Sequence, residues 1–168
     1  MTPPRVTIVV VTYNSADVLA DCLASIELAA KGCPTIVVDN ASADRSVEVA
    51  LSRSFVTVIR SETNEGFSKA NNRALQTIGT EFALILNPDA RLTSPAIPQL
   101  LAAADRRPEA AALGPKTLFE DGRAQVSFGP DLSPLAEYRQ GRLVKGVKAG
   151  ERWALEALRA ATLEEREV

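Results

Sequence analysis

Four short apolar runs, each rich in β-branched residues, alternate along the chain with segments of helical periodicity. Each run has the length of a strand and is almost continuously hydrophobic, which is typical of strands that are covered on both faces. The runs are Val6 to Thr12, Thr35 to Asp39, Phe55 to Ile59 and Phe82 to Leu86. This alternation predicts βαβ units with right-handed crossovers. The predicted fold class is α/β, with a mainly parallel sheet flanked by helices.

The helical segments carry recognisable start and stop residues. Ser15 is a candidate N-cap of the first helix, and Gly32 follows its end. The second helix is predicted to begin at Ser42, and the third to stop at Gly79. Ser94 is a candidate N-cap of the fourth helix. These are the residue types that cap helices or end them.

The pattern changes towards the C-terminus. A fifth strand is predicted over Ala110 to Leu118, followed by a hairpin turn at Glu120-Asp121-Gly122 and a further strand over Ala124 to Phe128. Three glycines interrupt or follow the cationic stretch from Arg139 to Lys148, which predicts a loop there. The segment from Glu151 to Glu167 has a helical pattern. The predicted organisation is an α/β domain over 1–118, continued by the hairpin, basic loop and helix of 119–168.

The composition excludes several kinds of site. The formal charge of −2 gives no overall attraction to nucleic acid, so no nucleic-acid partner is predicted. The absence of histidine excludes histidine bases and histidine metal ligands. Cys22 and Cys33 form no CxxC motif, which indicates reduced thiols and a cytoplasmic location. No apolar run has the length of a membrane-spanning helix.

Polar side chains follow every predicted strand. The four segments are Thr12-Tyr13-Asn14-Ser15, Asp39-Asn40-Ala41-Ser42, Asn64-Glu65-Gly66-Phe67 and Asn87-Pro88-Asp89. Ligands of open parallel sheets bind beyond the carboxyl ends of the strands, where these segments would meet. Asn, Asp and Ser also favour turns and helix caps, so each segment alone has a second interpretation. The four together favour a binding site.

The residue types at this edge suggest a nucleotide bound through a cation. No GxGxxG and no P-loop motif is present. Asp39 could accept hydrogen bonds from a ribose hydroxyl or a base N–H, and Tyr13 could lie against a base. In an extended segment Asn87 and Asp89 point to the same side, and their oxygens suit Mg²⁺ or Mn²⁺ that bridges substrate phosphates. The alternative for these residues is a turn that caps the next helix.

Asn71 lies on the apolar stripe of the third helix, one turn after its start. A buried amide needs hydrogen-bond partners. Its side chain either bonds to nearby backbone or points into the ligand cleft, and we favour the cleft.

Four stretches of this chain resemble the family 2 glycosyltransferases with the GT-A fold, in particular the bacterial rhamnosyltransferase-like members that build cell-surface polysaccharide. They are Val9 to Ser15, Ile36 to Ser42, Asn64 to Asn72 and Leu84 to Asp89. The resemblance covers about the first 115 residues and implies a Rossmann-like nucleotide-sugar domain. It places Thr12, Tyr13 and Asp39 at the nucleotide, and Asn87 and Asp89 at the metal motif.

The resemblance also implies the remaining members of the site. Asn64, Gly66, Phe67 and Asn71 correspond to the diphosphate and sugar pocket. The full set of expected substrate-binding residues is Thr12, Tyr13, Asn14, Asp39, Asn40, Asn64, Gly66, Phe67, Asn71, Asn87 and Asp89. Asn87 departs from the family's Asp-x-Asp motif, because an amide stands where the first acid is expected. A weak metal site that the diphosphate completes is therefore predicted.

The implied reaction is transfer of a sugar, with inversion, from a UDP- or dTDP-linked donor to a hydroxyl of a saccharide or lipid-linked acceptor at the inner face of the membrane. The family's catalytic base lies in the later half of the domain, and no segment here matches it. Glu120 and Asp121 fit a turn better than a catalytic role. The expectation is a fragment of a longer enzyme; a shortened module that binds nucleotide sugar without catalysis and a chain completed by another polypeptide are the alternatives.

Two features beyond the resemblance are open to more than one interpretation. The cationic stretch could attract an anionic acceptor or serve as a solvated linker, and the linker is favoured. Trp153 is expected to pack against its neighbours rather than bind the acceptor.

Overall fold

The structure, a computed structural model, describes residues 3–119, 121–125 and 142–157. Its first part alternates strand and helix as predicted. In chain order the elements are β1 (Val6–Thr12), α1 (Ala16–Ala29), β2 (Thr35–Asp39), α2 (Ser46–Leu51), β3 (Val56–Arg60), α3 (Phe67–Leu75), β4 (Phe82–Leu86) and α4 (Ala96–Arg106). Three of the four predicted strands have the predicted bounds, and β3 is displaced by one residue.

The four strands form one parallel sheet in the order β3-β2-β1-β4. Thr12 pairs with Asp39, and Asp39 pairs with Arg60, so β1, β2 and β3 end side by side. Leu86, the last residue of β4, pairs with Val10 of β1. All four strands therefore end at one side of the sheet, called here the carboxyl edge. The strand order reverses between β1 and β4, and such a switch point is where open α/β sheets bind ligands.

Different helices cover the two faces of the sheet. On one face Val10 packs in a core with Leu23 of α1, together with residues of α2 and α4. On the other face Val38 packs with Ala70 and Ala74 of α3. Every residue of β1 and β2 is buried, which explains why these strands are continuous apolar runs rather than alternating ones.

Within the part of the chain that the structure describes, helices cover β4 on one face only. It is the last strand in the sheet order, and its residues alternate between half-buried and exposed. Ile85 pairs with Val9 on the face that carries α3, but α3 packs on β1 and β2. The side chain of Ile85 consequently remains 46% exposed.

Three helix boundaries differ from the prediction. The fourth helix begins at Ala96, so its N-cap position is occupied by Pro95 rather than by Ser94. The second helix begins at Ser46 rather than Ser42, because the intervening residues form a turn that bonds to the β1–α1 connection. The third helix ends at Leu75, before Gly79. No helix among the described residues is both long and apolar enough to span a bilayer.

The chain divides between Ala102 and Ala103 into two compact units. The first unit contains the parallel sheet. The assignment of 1–118 and 119–168 to one continuous domain stays a prediction.

The second unit contains the predicted hairpin. β5 (Thr117–Leu118) pairs antiparallel with β6 (Ala124–Gln125), and Gly122 adopts a positive φ of 80° in the turn between them. The hairpin is confirmed, but the strand predicted from Ala110 is wrong before Thr117. Glu120 and the end of the predicted last strand lie outside the described residues.

The basic loop predicted over Arg139 to Lys148 is wrong for residues 142–148, which are helical, as are residues 152–157. Gly146 does not break the first of these helices, because it lies where the second packs against it. A Cβ on Gly146 would stand 2.6 Å from Cβ of Ala154 and 2.8 Å from Trp153. The predicted C-terminal helix is confirmed over residues 152–157. Trp153 is 46% exposed, and the Arg142 guanidinium lies 5.7 Å from its ring centre.

Candidate functional site

The ends of β1, β2 and β3 bring three buried polar side chains to the carboxyl edge. They belong to Thr12, Asp39 and Ser61, and the backbone links them, since Ser61 N–H donates to the Asp39 carbonyl at 2.8 Å. Asp39 Oδ2 accepts a hydrogen bond from Ser42 N–H at 3.2 Å. Asp39 Oδ1, Thr12 Oγ1 and Ser61 Oγ have no partner among the described residues.

These unpartnered atoms indicate that the edge is built to receive something else. A buried polar atom without a hydrogen bond costs about 1–3 kcal/mol, so such atoms are few in native proteins. Here they stand at the ends of consecutive strands, where the fold places ligands. The arrangement can accept a hydrogen bond at the Asp39 carboxylate and exchange hydrogen bonds at two hydroxyls.

The turn after β1 is fastened to the turn after β2. Asn14 N–H donates to Ser42 Oγ at 3.0 Å, and Ala43 N–H donates to Asn14 Oδ1 at 2.8 Å. Both turns hold a non-glycine residue at positive φ, 50° for Asn14 and 66° for Ala41. Backbone in this region is uncommon for such residues and clusters at functional sites. The side chain of Asn14, although exposed, therefore joins the two turns at this edge.

The start of α1 is capped by Asp44, which follows a different strand. Asp44 Oδ2 accepts a hydrogen bond from Ala16 N–H at 2.9 Å, and Ser46 Oγ accepts one from Ser15 N–H at 3.0 Å. Ser15 occupies the predicted N-cap position, but its side chain donates to the Tyr13 carbonyl and makes no capping hydrogen bond. Hydrogen bonds from the Ser46 hydroxyl and from Ala16 N–H lower the pKa of Asp44.

Asn40 and Asn64 are bonded to each other. Asn40 Nδ2 donates to Asn64 Oδ1 at 2.7 Å, and Asn40 Oδ1 accepts from Glu65 N–H at 3.0 Å. Asn64 Oδ1 also accepts from Gly66 N–H at 3.0 Å. Both amides hold the loop between β3 and α3 in place, and Asn40 is only 2% exposed.

The start of α3 presents one aromatic residue to solvent and one amide to the interior. Gly66 precedes the helix at a positive φ of 83°, and Phe67 is 52% exposed. Asn71 Nδ2 donates to the Phe67 carbonyl at 2.9 Å, whereas its buried Oδ1 has no partner among the described residues. The nitrogen of the Asn71 amide therefore bonds to nearby backbone, and the direction of its Oδ1 into a ligand cleft stays a prediction.

Tyr13 is the other aromatic residue near this edge. Its side chain is 50% exposed and follows directly after Thr12. An exposed ring next to buried hydrogen-bonding groups is suited to lie against a flat ligand.

Asn87 and Asp89 lie in a turn after β4. Ala90 N–H donates to the Asn87 carbonyl at 3.1 Å and closes the turn. Both side chains are exposed, and their oxygens make no hydrogen bond with the described residues. Among those residues no group of three or more Cys, Asp or Glu side chains could hold a metal ion.

The turn lies against a buried thiol of α1. Cys22 is 1% exposed, and its Sγ donates to the Asn87 carbonyl at 3.6 Å. Burial, with a contribution from the charge of Asp89, raises the pKa of Cys22 to about 12. The thiol is therefore protonated at neutral pH. Both cysteines are free, as predicted.

Sequence reasoning did not single out Asp44, Ser46 or Ser61. Ser61 lies two residues after the predicted strand Phe55 to Ile59, and this position was the available signal. The prediction places Asp44 and Ser46 inside the second helix, and a position inside that helix does not predict contacts with the start of α1.

Comparison with known proteins gives one consistent result. The model of the family "Glycosyl transferase family 2" matches residues 7–159. N-acetylglucosaminyl-diphospho-decaprenol L-rhamnosyltransferase from two strains of Mycobacterium tuberculosis is 31% identical in an alignment over 133 residues that covers 71% of this chain and 43% of that protein. The chain thus spans less than half the length of these relatives.

Solved structures share the fold. The crystal structure of S. aureus TarS 1-349 has a TM-score of 0.53 at 24% identity, over 79% of this chain and 43% of that one. Mannosyltransferase PcManGT from Pyrobaculum calidifontis, in complex with GDP-Man and Mn²⁺, has a TM-score of 0.52 at 26% identity, over 57% of this chain and 31% of that one. The sheet and helices described above match these GT-A glycosyltransferases, and the chain belongs to glycosyl transferase family 2.

Proposed function

We propose that the carboxyl edge binds a nucleoside diphosphate sugar, UDP- or dTDP-linked, and that the chain is the donor-binding part of an enzyme that transfers the sugar to a hydroxyl group. The observation that carries this proposal is the buried, unpartnered Oδ1 of Asp39 beside the unpartnered hydroxyl of Thr12. Family membership supplies the class of reaction. Inversion at the anomeric carbon is part of the proposal.

The nucleoside is proposed to lie at the ends of β1 and β2. Asp39 Oδ1 would accept a hydrogen bond from a base N–H or a ribose hydroxyl, which removes the cost of leaving this atom unpartnered. The ring of Tyr13, half exposed at the same place, would lie against the base.

In this proposal the diphosphate does not lie at the start of α1 as in the Rossmann pattern, and the reason is chemical. Helix N-termini attract phosphate through free N–H groups. Here Ala16 N–H is bonded to Asp44, whose carboxylate would repel a phosphate. We therefore place the diphosphate at the turn after β4, on the other side of β1.

Asn87 and Asp89 are proposed to hold Mg²⁺ or Mn²⁺ together with that diphosphate. One amide oxygen and one carboxylate, exposed and without hydrogen bonds to the described residues, are hard oxygen donors of the kind these ions prefer. The bound ion would neutralise charge on the diphosphate leaving group. PcManGT, which has the same fold, is bound to Mn²⁺ in its complex, and this supports the choice of cation.

The acceptor is proposed to be a saccharide or lipid-linked hydroxyl compound of cell-surface polysaccharide, reached from the cytoplasm at the inner face of the membrane. The support is the name of the mycobacterial relative, which contains a diphospho-decaprenol. No catalytic base is assigned. Asp121 lies in the hairpin turn, where its carboxylate accepts hydrogen bonds from Arg123.

Nucleotide binding tests the proposal directly. Calorimetry of the full 168-residue chain with UDP and with dTDP, each with Mn²⁺, should detect binding by the wild type. Asp39→Asn should weaken it about 10- to 100-fold, because a charged hydrogen-bond acceptor is lost. Asp17→Asn, an exposed change in the first turn of α1, is the matched control and should bind as the wild type does. Absence of binding in the wild type would refute the proposal.

Donor hydrolysis separates the enzyme from the alternative of a binding module without catalysis. Both interpretations require nucleotide binding. Sugar release from the donor, measured on the same preparation and compared with Asp89→Asn, would favour the enzyme. Binding without release would favour the module.

A further inference from the structure

Helix α1 contacts the loop after β4 at three points along one of its faces. Cys22 Sγ donates to the Asn87 carbonyl at 3.6 Å, before Asp89 in the loop. Ser25 Oγ accepts a hydrogen bond from Leu92 N–H at 2.9 Å, after Asp89. Beyond these two, the carboxylate of Asp21 forms an ion pair with Arg91. The helix therefore holds this loop on both sides of Asp89.

The Ser25 hydroxyl is the most constrained of these contacts. While it accepts from Leu92 N–H, it donates to the Cys22 carbonyl at 2.7 Å. One hydroxyl thus joins the backbone of α1 to the backbone of the loop. At the other end of the loop, the Asn87 carbonyl receives both Cys22 Sγ and Ala90 N–H.

We propose that Ser25, assisted by Cys22 and Asp21, is a positioning residue that holds Asn87 and Asp89 in place for a cation bound to the diphosphate. This inference rests on the proposed function, because it assumes that the turn after β4 receives that cation. The reasoning is that a ligand turn fixed before binding loses less freedom when the ion arrives. Of the two bonds made by Ser25, the one to Leu92 reaches the loop.

The contacts also connect the two parts of the proposed site through a rigid element. α1 begins beside Tyr13 and Asn14, where Asp44 caps it, and reaches the turn after β4 through Cys22 and Ser25. Outer-shell partners of metal ligands commonly contribute about 10- to 100-fold to metal affinity. Ser25 does not itself approach the proposed ion, so its effect must be transmitted through the loop backbone.

The test compares Ser25→Ala with the wild-type chain by calorimetry. The probes are UDP or dTDP, whichever the wild type binds more tightly, with Mn²⁺ and with EDTA. Ser25→Ala should weaken nucleotide binding in Mn²⁺ by about tenfold and leave binding in EDTA unchanged. Ser25→Thr, which keeps the hydroxyl, should restore the Mn²⁺-dependent part.

Ser52→Ala is the matched control. Ser52 Oγ donates to the Val49 carbonyl at the end of α2, a bond of the same kind that does not reach the loop. The Ser52→Ala variant should bind the nucleotide as the wild type does, both in Mn²⁺ and in EDTA. If Ser25→Ala does not fold, Asp21→Asn replaces it, because Asp21 is exposed; a weakening of about twofold, confined to Mn²⁺, is then expected.

Two results would overturn the inference. One is unchanged Mn²⁺-dependent binding in Ser25→Ala, or in Asp21→Asn where that variant replaces it. The other is an equal loss in Mn²⁺ and in EDTA, which is the signature of general damage to the fold. A wild type that binds no nucleotide at all would instead refute the proposed function.

Discussion

Asn40 and Asn64 bond to each other through their side chains, with Asn40 as the donor and Asn64 as the acceptor. In its other contact, with Gly66 N–H, Asn64 again uses only its oxygen. The pair is therefore asymmetric: one member needs an amide nitrogen, whereas the other needs only an oxygen.

This asymmetry predicts different effects of the same substitution. Asn64→Asp keeps the acceptor and should change the free energy of unfolding by less than about 1 kcal/mol. Asn40→Asp sets two oxygens against each other in a buried place and should destabilise the fold by about 2 kcal/mol or more. Urea unfolding followed by circular dichroism measures both. Equal losses in the two variants would contradict the assignment of donor and acceptor.

The cap that Asp44 provides should make stability depend on pH. Because hydrogen bonds from Ser46 and from Ala16 N–H lower the folded-state pKa of Asp44, its stabilising effect is present above about pH 4 and is lost as the pH falls through the folded-state pKa. Asp44→Asn should therefore lower the urea midpoint at neutral pH and have much less effect at about pH 2.5. Asp17→Asn, in the first turn of the helix that Asp44 caps, serves as control. An equal effect at both values would contradict the prediction.

The amide at position 87 should set the affinity for a free cation. Wild-type chain should bind Mn²⁺ weakly alone and more tightly with UDP, because the diphosphate would supply further ligands. Asn87→Asp adds a negative charge beside Asp89 and should tighten nucleotide-free binding by about tenfold. Calorimetry measures both, and Asn72→Asp, an exposed change on α3, is the control. Tight Mn²⁺ binding by the nucleotide-free wild type would contradict the prediction.

A methyl group at Gly146 should separate the two helices of the second unit. The space it needs is filled by Ala154 and Trp153, so Gly146→Ala should destabilise their packing by about 1–3 kcal/mol. Trp153 is the only tryptophan of the chain, and its fluorescence during urea unfolding reports on this unit. Gly114→Ala, where a Cβ meets nothing within 4 Å, should leave that transition unchanged. An unshifted midpoint in Gly146→Ala would contradict the packing.

The strands and the convergence of their ends could be predicted from the sequence because both follow from local pattern. Strands buried on both faces must be apolar throughout, as in β1 and β2, and parallel strands must all end at one edge. Thr12 and Asp39 could therefore be placed at one edge of the sheet from their positions alone.

Features that depend on distant partners could not be predicted in this way. The start of α2 is set by contacts of Ser42 and Ala43 with Asn14, about 28 residues earlier in the chain. Gly146 resembles a helix breaker until the helix that packs against it is known. The sequence also does not indicate whether the side chain of an amide residue such as Asn40 contacts a ligand or another amide.

The half of β4 that α3 leaves uncovered has a practical consequence for work with the purified chain. Ala83 and Ile85 offer an apolar strip to water, and the outer side of β4 has no partner among the described strands. Two molecules that meet there can bury this strip and continue one sheet into the next. Self-association at high protein concentration is therefore to be checked by light scattering before any titration is interpreted.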